Sequence, residues 1–238
     1  MADQSVYEAW DLEALSEIPN YQEWIVHSFR PYLSGDATEI GAGMGVFSKR
    51  LLDHVEKLQL VEPAENLVAE LTAAFSGNAN VEIAAKTAED YLSGQAEASR
   101  DCVVMVNVLE HIEDDARAMA GLFRILKPGG HLLVFVPALR WLFSAMDVAL
   151  GHHRRYHKDA LVALAHQAGF EVVSARYFDF LGIFPWWIVY TLAGKTRFNP
   201  GLSKLYDCLV VPVGRAMEAV VPPPMGKNVV FVARKPAS

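Results

Sequence analysis

The chain has 238 residues, 52% of them hydrophobic and 21% charged, enough for one sizeable core or a core with an elaboration, but not for two full domains. A net charge of −7 excludes the basic footprint of a general nucleic-acid binder, so no nucleic-acid partner is expected. Cys102 and Cys208 lie far apart in apolar runs, which rules out a disulfide framework or a C-x-x-C metal pair; because "MADQSVYEAWDLEAL" lacks an apolar signal core, a reducing cytoplasm is the expected compartment.

In chain order, residues 1–35 read as an N-terminal helical segment, and strand and helix signals then alternate. "ATEIGAG" is a short apolar run ending in glycines, and "VFSKRLLDHV" has helical spacing. "KLQLVEP" reads as a strand, with Pro63 opening the helix "AENLVAELTAAF". "NVEIAAK" is a third strand and "DCVVMVNVL" a fourth, apolar almost throughout, as a strand covered on both faces should be. "DDARAMAGLFRIL" is a helix stopped by the breakers "KPGG". "HLLVFVPAL", "FEVVSARYF" and "NVVFVARKP" complete seven strands, with the helix "KDALVALAHQAG" between the fifth and sixth. Such alternation predicts a mostly parallel sheet with helices on both faces, whose ligands bind beyond the carboxyl ends of the strands where strand order reverses. One stretch breaks the rhythm: about fifty strongly apolar residues, Asp179 to Lys227, stand where a short hairpin connection would suffice. The expected organisation is a core of residues 36–178 and 228–238 with an apolar helical insertion at 179–227.

The glycines at Gly41, Gly43 and Gly45 let a ligand approach the backbone closely. Val46 stands where a dinucleotide fingerprint needs its third glycine, so the spacing suits a ligand without a diphosphate. The following helix still offers free N–H groups and a positive dipole end. An adenosine bearing a carboxylate fits, and S-adenosylmethionine is such a molecule. Glu62, at the end of the second strand, has two acceptor oxygens and no donor, which suits a pair of ribose hydroxyls.

With "EIGAGMG", "VEP", "DCVVMVNVLEHIEDD" and "RILKPGGHLLVFVP" in place, the sequence resembles a class I S-adenosylmethionine-dependent methyltransferase over Asp36 to Phe178, with Asn228 to Pro236 as the final antiparallel strand. The resemblance implies a Rossmann-like seven-stranded sheet and S-adenosylmethionine as cofactor. It implies that Glu39, Gly41, Ala42 and Gly43 line the methionine end, that Glu62 and Pro63 meet the ribose, and that Asn107 and Val108 lie alongside. Thr87, Ala88 and Glu89 stand where the family usually places its adenine contact.

A weakly acidic acceptor hydroxyl needs a base. His111, just after the fourth strand, is one candidate; Asp147, His152 and Tyr156 in "MDVALGHHRRYHKDAL" are others. That segment opens over the active-site rim in this fold, where His153, Arg154 and Arg155 would bind an anionic group on the acceptor, the arginines through bidentate bonds. The histidine spacing fits no standard metal site, so no metal is expected. Tyr177 to Gly194 is near the 17–25 residues that span a bilayer, but Asp179, Pro185 and mid-segment Trp186 and Trp187 argue against a span. Three readings of the insertion stay open: a cap on the chain's own core, a homodimer contact, or a lid for a lipid-linked acceptor with peripheral membrane contact, in which Trp186 would touch substrate. The leading functional reading is methyl transfer to an oxygen, less readily a nitrogen, of a small or lipid-linked acceptor. Its rivals are a nicotinamide-dependent oxidoreductase, disfavoured by Val46, and a cofactor-binding protein that has lost transfer.

Overall fold

The seven apolar runs assemble into one sheet. The computed structural model describes residues 10–237, so the first nine residues of the expected N-terminal helical segment lie outside the described part. The strands are β1 (Asp36–Ile40), β2 (Lys57–Glu62), β3 (Val81–Ala85), β4 (Arg100–Val106), β5 (Leu126–Pro137), β6 (Glu171–Phe178) and β7 (Asn228–Arg234). The helices are α1 (Trp10–Ser16), α2 (Pro19–Phe29), α3 (Ser48–Leu51), α4 (Glu65–Ala74), α5 (Ala88–Gly94), α6 (Asp115–Ile125), α7 (Ala145–Ala149), α8 (Lys158–Gln167), α9 (Ile183–Trp186), α10 (Pro200–Leu205) and α11 (Val211–Val220). The strand order is β3-β2-β1-β4-β5-β7-β6. All neighbours pair parallel except β7, which runs antiparallel to both β5 and β6.

Successive side chains of a strand point to opposite faces, so a strand apolar at every position feeds two cores. In β4, Val103 and Met105 join a cluster with Met119, Leu122 and Ile125 of α6. Cys102, Val104 and Val106 join a second cluster with Trp24, Ile25 and Phe29 of α2. Burying these strands on both faces fixes where their carboxyl ends emerge, and hence where a site can form.

Several local expectations need correcting. Pro63 precedes α4, whose N-cap is Ala64. α3 is a single turn followed by a tighter one, shorter than the helical spacing of "VFSKRLLDHV" suggests. "KPGG" ends α6 but does not form a separate turn: β5 begins at Leu126 and carries these residues through a break in register between Arg100 and Cys102 of β4. Gly130 is required there, because a Cβ would stand 2.9 Å from the Lys127 carbonyl. Asp179–Lys227 holds α9, α10, α11 and two π-helical stretches, Trp187–Leu192 and Tyr206–Val210. It is not apolar and buried all round; one side packs on the core and the other faces outward.

Candidate active site

The carboxyl ends of β1, β2, β4 and β5 and the residues after β3 open onto one cavity of about 600 Å³. It sits beside the β1–β4 pair, where the connections leave towards opposite edges of the sheet.

At one end of the cavity the chain turns sharply after β1. Gly41 and Gly43 have φ of +76° and +54°. The Gly41 and Ala42 N–H groups both donate to the Val61 carbonyl, at 2.8 and 3.1 Å, pinning the turn to β2. A Cβ on Gly41 would lie 2.3 Å from Val108 Cγ2, so only glycine fits between the two loops. Glu62, almost wholly buried, accepts the Gly43 N–H on Oε2 and the Ala64 N–H on Oε1, each at 3.0 Å. Burial raises its pKa, and those two hydrogen bonds act against the rise. The carboxylate is thereby held at one orientation with lone pairs to spare.

Gly41, Gly43, Glu62, Pro63, Thr87, Ala88, Glu89, Asn107 and Val108 all line the cavity. Thr87 to Glu89 reach it because Thr87 Oγ1 accepts the Asp90 N–H and caps α5. Asn107 adopts φ +53°, a left-handed conformation asparagine tolerates, and so turns the chain across the floor. Two expected cofactor residues do not line the cavity. Glu39 and Ala42 lie buried behind the loop; Glu39 accepts the Ser48 hydroxyl, and burial raises its carboxyl to about 8. The sequence reading missed the cover on this end: Leu12 and Leu15 of α1 line the cavity, and Leu12 Cδ1 lies 3.2 Å from where a Gly43 Cβ would be. Only the tertiary fold brings that helix there.

The other end is built by the turn after β4 and the loop after α7. Asp147 has no solvent exposure and is held by the Ser144 N–H at 2.9 Å and hydroxyl at 3.1 Å. It accepts from Arg155 Nε at 2.7 Å and pairs with His152 Nδ1 at 3.0 Å. Burial pushes the Asp147 pKa up, but the His152 hydrogen bond and the Arg155 charge outweigh it and hold the carboxyl below its usual range. An ionised carboxylate can only accept, so His152 Nδ1 is the donor, and Nε2 lies 3.9 Å from Glu110 Oε1. His152 and His111 both line the cavity, their rings 4.8 Å apart edge to face. The His111 ring is exposed into the cavity while protein crowds the rest of it. That burial, and then His152, lower its pKa to about 4. Glu110, fully buried beneath them, has no hydrogen-bond partner for either carboxylate oxygen, and burial raises it to about 8.

Glu110, His111 and His152 offer one donor atom each within 4.8 Å of one another. Among them, His152 Nε2 and Glu110 Oε1 stand 3.9 Å apart.

Arg155 is buried and lies 4.5 Å above the Trp186 ring, and Trp186 Nε1 donates to the Leu142 carbonyl at 3.2 Å. Lys227, which sequence reading did not single out, reaches the same wall and pairs with Asp179 at 3.0 Å. Asn228, also on the wall, accepts the Tyr21 hydroxyl at 3.0 Å. Four expected residues do not line the cavity: Asp147, buried behind His152 and Arg155, and three that turn elsewhere. Arg154 turns to Asp115 at 2.7 Å and to the Glu113 carbonyl; Tyr156 donates its hydroxyl to Asp115 at 2.8 Å; His153 is exposed elsewhere. Asp115 draws both side chains to the start of α6, away from the cavity.

A protein of Mycolicibacterium smegmatis named as a "probable S-adenosylmethionine-dependent methyltransferase" is 38% identical over 90 residues, 37% of this chain and 33% of that protein. The match thus spans about a third of the relative's length. Solved structures share the fold: a SAM-dependent methyltransferase from Thermotoga maritima (TM-score 0.62, 22% identity, covering 96% of this chain and 94% of that one), and an S-adenosylmethionine-dependent methyltransferase from Mesorhizobium loti (TM-score 0.60, 17% identity, covering 90% and 97%). A family model described as a methyltransferase domain matches residues 29–175, more than half of the sequence; the chain belongs to that family, whose cofactor is S-adenosylmethionine.

Proposed function

We propose that the chain transfers a methyl group from S-adenosylmethionine to an oxygen of a largely apolar acceptor, small or lipid-linked. The glycine turn and the oriented Glu62 suit the cofactor's amino-acid and ribose parts, and the cavity continues past them to the two histidines. Bound there, S-adenosylmethionine supplies an electrophilic methyl group on a sulfonium. The protein then has to hold a hydroxyl in line with that carbon, exclude water and remove a proton.

The observation that carries this reading is the unlike environment of two neighbouring histidines. Only His152 touches Asp147, which orients the ring and stabilises it once protonated. We assign His152 as the proton acceptor. His111, whose surroundings disfavour a charge, stays neutral and hydrogen-bonds the acceptor. Asp147 acts through His152 and is a positioning residue. Each cation on the wall already faces a buried carboxylate, Arg155 with Asp147 and Lys227 with Asp179, so this end is near neutral. With Trp186 and Phe198 beside them, an apolar acceptor body is favoured. An anionic group, if the acceptor has one, meets Arg155 and Lys227 rather than Arg154.

The test uses S-adenosylmethionine labelled on its methyl group, incubated with fractionated cell extract. Label should pass to an acceptor with the wild type. His152→Gln should lose about 100-fold or more of that rate and keep the calorimetric heat of cofactor binding. Label that never leaves the cofactor in any fraction would instead establish a binding protein without transfer.

A further inference from the structure

We infer that the outward face of residues 183–220 is a docking surface for an anionic lipid bilayer. The inference does not depend on the identity of the acceptor. From Pro200 to Val220, α10, a π-helical stretch and α11 follow one another without a break, about 30 Å of helix. Its inner side is tied to the core. Asp207 accepts the Asn20 and Tyr21 N–H groups at the start of α2, Val211 is buried, and buried Gly214 faces Trp24. The outer side carries Leu202, Leu205, Leu209, Val213, Met217 and Val220, each more than half exposed and spaced three or four residues apart. Phe184, Ile188 and Leu192 repeat the pattern on the preceding helix, again more than half exposed. A surface helix of a water-facing protein turns its apolar stripe inward; here a second stripe turns out.

Charge decides what covers it. The exposed charged side chains between Phe180 and Gly226 are Lys195, Arg197 and Lys204, all cations; Lys204 pairs with Glu17, which leaves Lys195 and Arg197 to set the sign of the face. The acids of the stretch turn inward: Asp207 is buried, and Glu218 accepts the Phe180 N–H. So a chain of net charge −7 presents one face that is apolar and positive. Two such faces would repel each other, which disfavours a second copy. An anionic headgroup layer pairs with the cations while the apolar side chains enter the interface. Among the described residues no helix is long and apolar enough to cross a membrane, so the geometry is that of a helix lying on the surface.

The experiment is co-sedimentation of the full chain with vesicles of phosphatidylcholine alone and of phosphatidylcholine mixed with phosphatidylglycerol. Binding to the anionic vesicles, much weaker to the neutral ones, is expected. Leu209→Gln with Met217→Gln should abolish it. Lys195→Glu with Arg197→Glu should weaken it about 25-fold or more, some five-fold for each cation removed. Both pairs should keep the calorimetric heat with S-adenosylmethionine, which excludes loss of folding. Absence of binding to either vesicle would overturn the inference. So would a concentration-dependent dimer of the free wild type that Leu209→Gln with Met217→Gln converts to monomer.

Discussion

Glu62→Gln removes a charge while changing almost no volume. The carboxylate accepts two backbone N–H groups, from Gly43 and Ala64, each at 3.0 Å. A carboxamide has one acceptor oxygen, so one of those amides must face an NH₂ group instead. Losing a hydrogen bond to a charged group costs about 1.5–3 kcal/mol. Part of this is returned, because the ionised form is already penalised by burial. The ligand-free protein should therefore lose stability near the lower figure. Cofactor binding should suffer more fully, because two ribose hydroxyls that both need an acceptor find one. The same 1.5–3 kcal/mol corresponds to about 10- to 150-fold weaker binding. Isothermal calorimetry with S-adenosylmethionine and S-adenosylhomocysteine measures this directly, with a thermal melt as control. Affinity within threefold of wild type, in a variant that melts normally, would refute the assignment of Glu62 to the ribose.

Gly41→Ala places a Cβ 2.3 Å from Val108 Cγ2 at φ +76°; the left-handed conformation alone costs about 1–2 kcal/mol, so the melting temperature should fall by about 2–8 °C or more, with weaker cofactor binding. Asp147→Asn breaks a buried pair and leaves Arg155 without its counter-charge, a cost of about 3–5 kcal/mol, and a melt unchanged within 2 °C would contradict the assigned hydrogen bonds. pH supplies a third check. Glu110 and Glu39 hold protons in the folded state up to about 8, whereas the unfolded chain releases them near pH 4.5. The folded state therefore binds more protons between these values, and stability should decline as pH rises from about 5 to about 8. Glu110→Gln should flatten that decline, and parallel melting curves for variant and wild type would exclude the raised carboxyl. His111 acts in the opposite window: its folded pKa of about 4 lies below the unfolded value, so its contribution is lost as pH falls from about 6.5.

The sheet was legible because strands covered on both faces must be apolar at nearly every position, and the cofactor loop because its glycines and Glu62 sit at ends of consecutive strands. α5 escaped notice because it is short; its capping pair, Thr87 with Asp90 three residues on, was the available signal. Asp147 as the holder of His152 was equally readable in principle, since Ser144 and Asp147 form a capping box at the start of α7. Other parts were not. Arg154 and Arg155 are adjacent in sequence, yet Asp115, distant along the chain, takes Arg154 while Asp147 takes Arg155. Nothing local to "HHRRY" distinguishes the two. Lys227, Asn228 and the cover by α1 likewise follow from contacts between segments far apart in the chain.

The same adjacency governs the two tryptophans that the sequence reading treated together. Trp186 is buried, bonds the Leu142 carbonyl and supports Arg155 on the cavity wall; Trp187, the next residue on the helix, is 41% exposed. Replacing both at once would confound two roles, because loss of Trp186 disturbs the Arg155–Asp147–His152 chain that positions the base. Trp187→Ser alone separates them. A helix with its side chains is about 10 Å across, so the exposed face and the cavity wall lie within one helix thickness of each other. An acceptor held on a lipid would need to travel only that far. Trp187→Ser should therefore weaken vesicle binding and slow transfer to a lipid-borne acceptor presented on vesicles, while transfer to the same acceptor dispersed in detergent stays at the wild-type rate. Equal slowing in both would place Trp187 in the site itself and separate the lipid face from the chemistry.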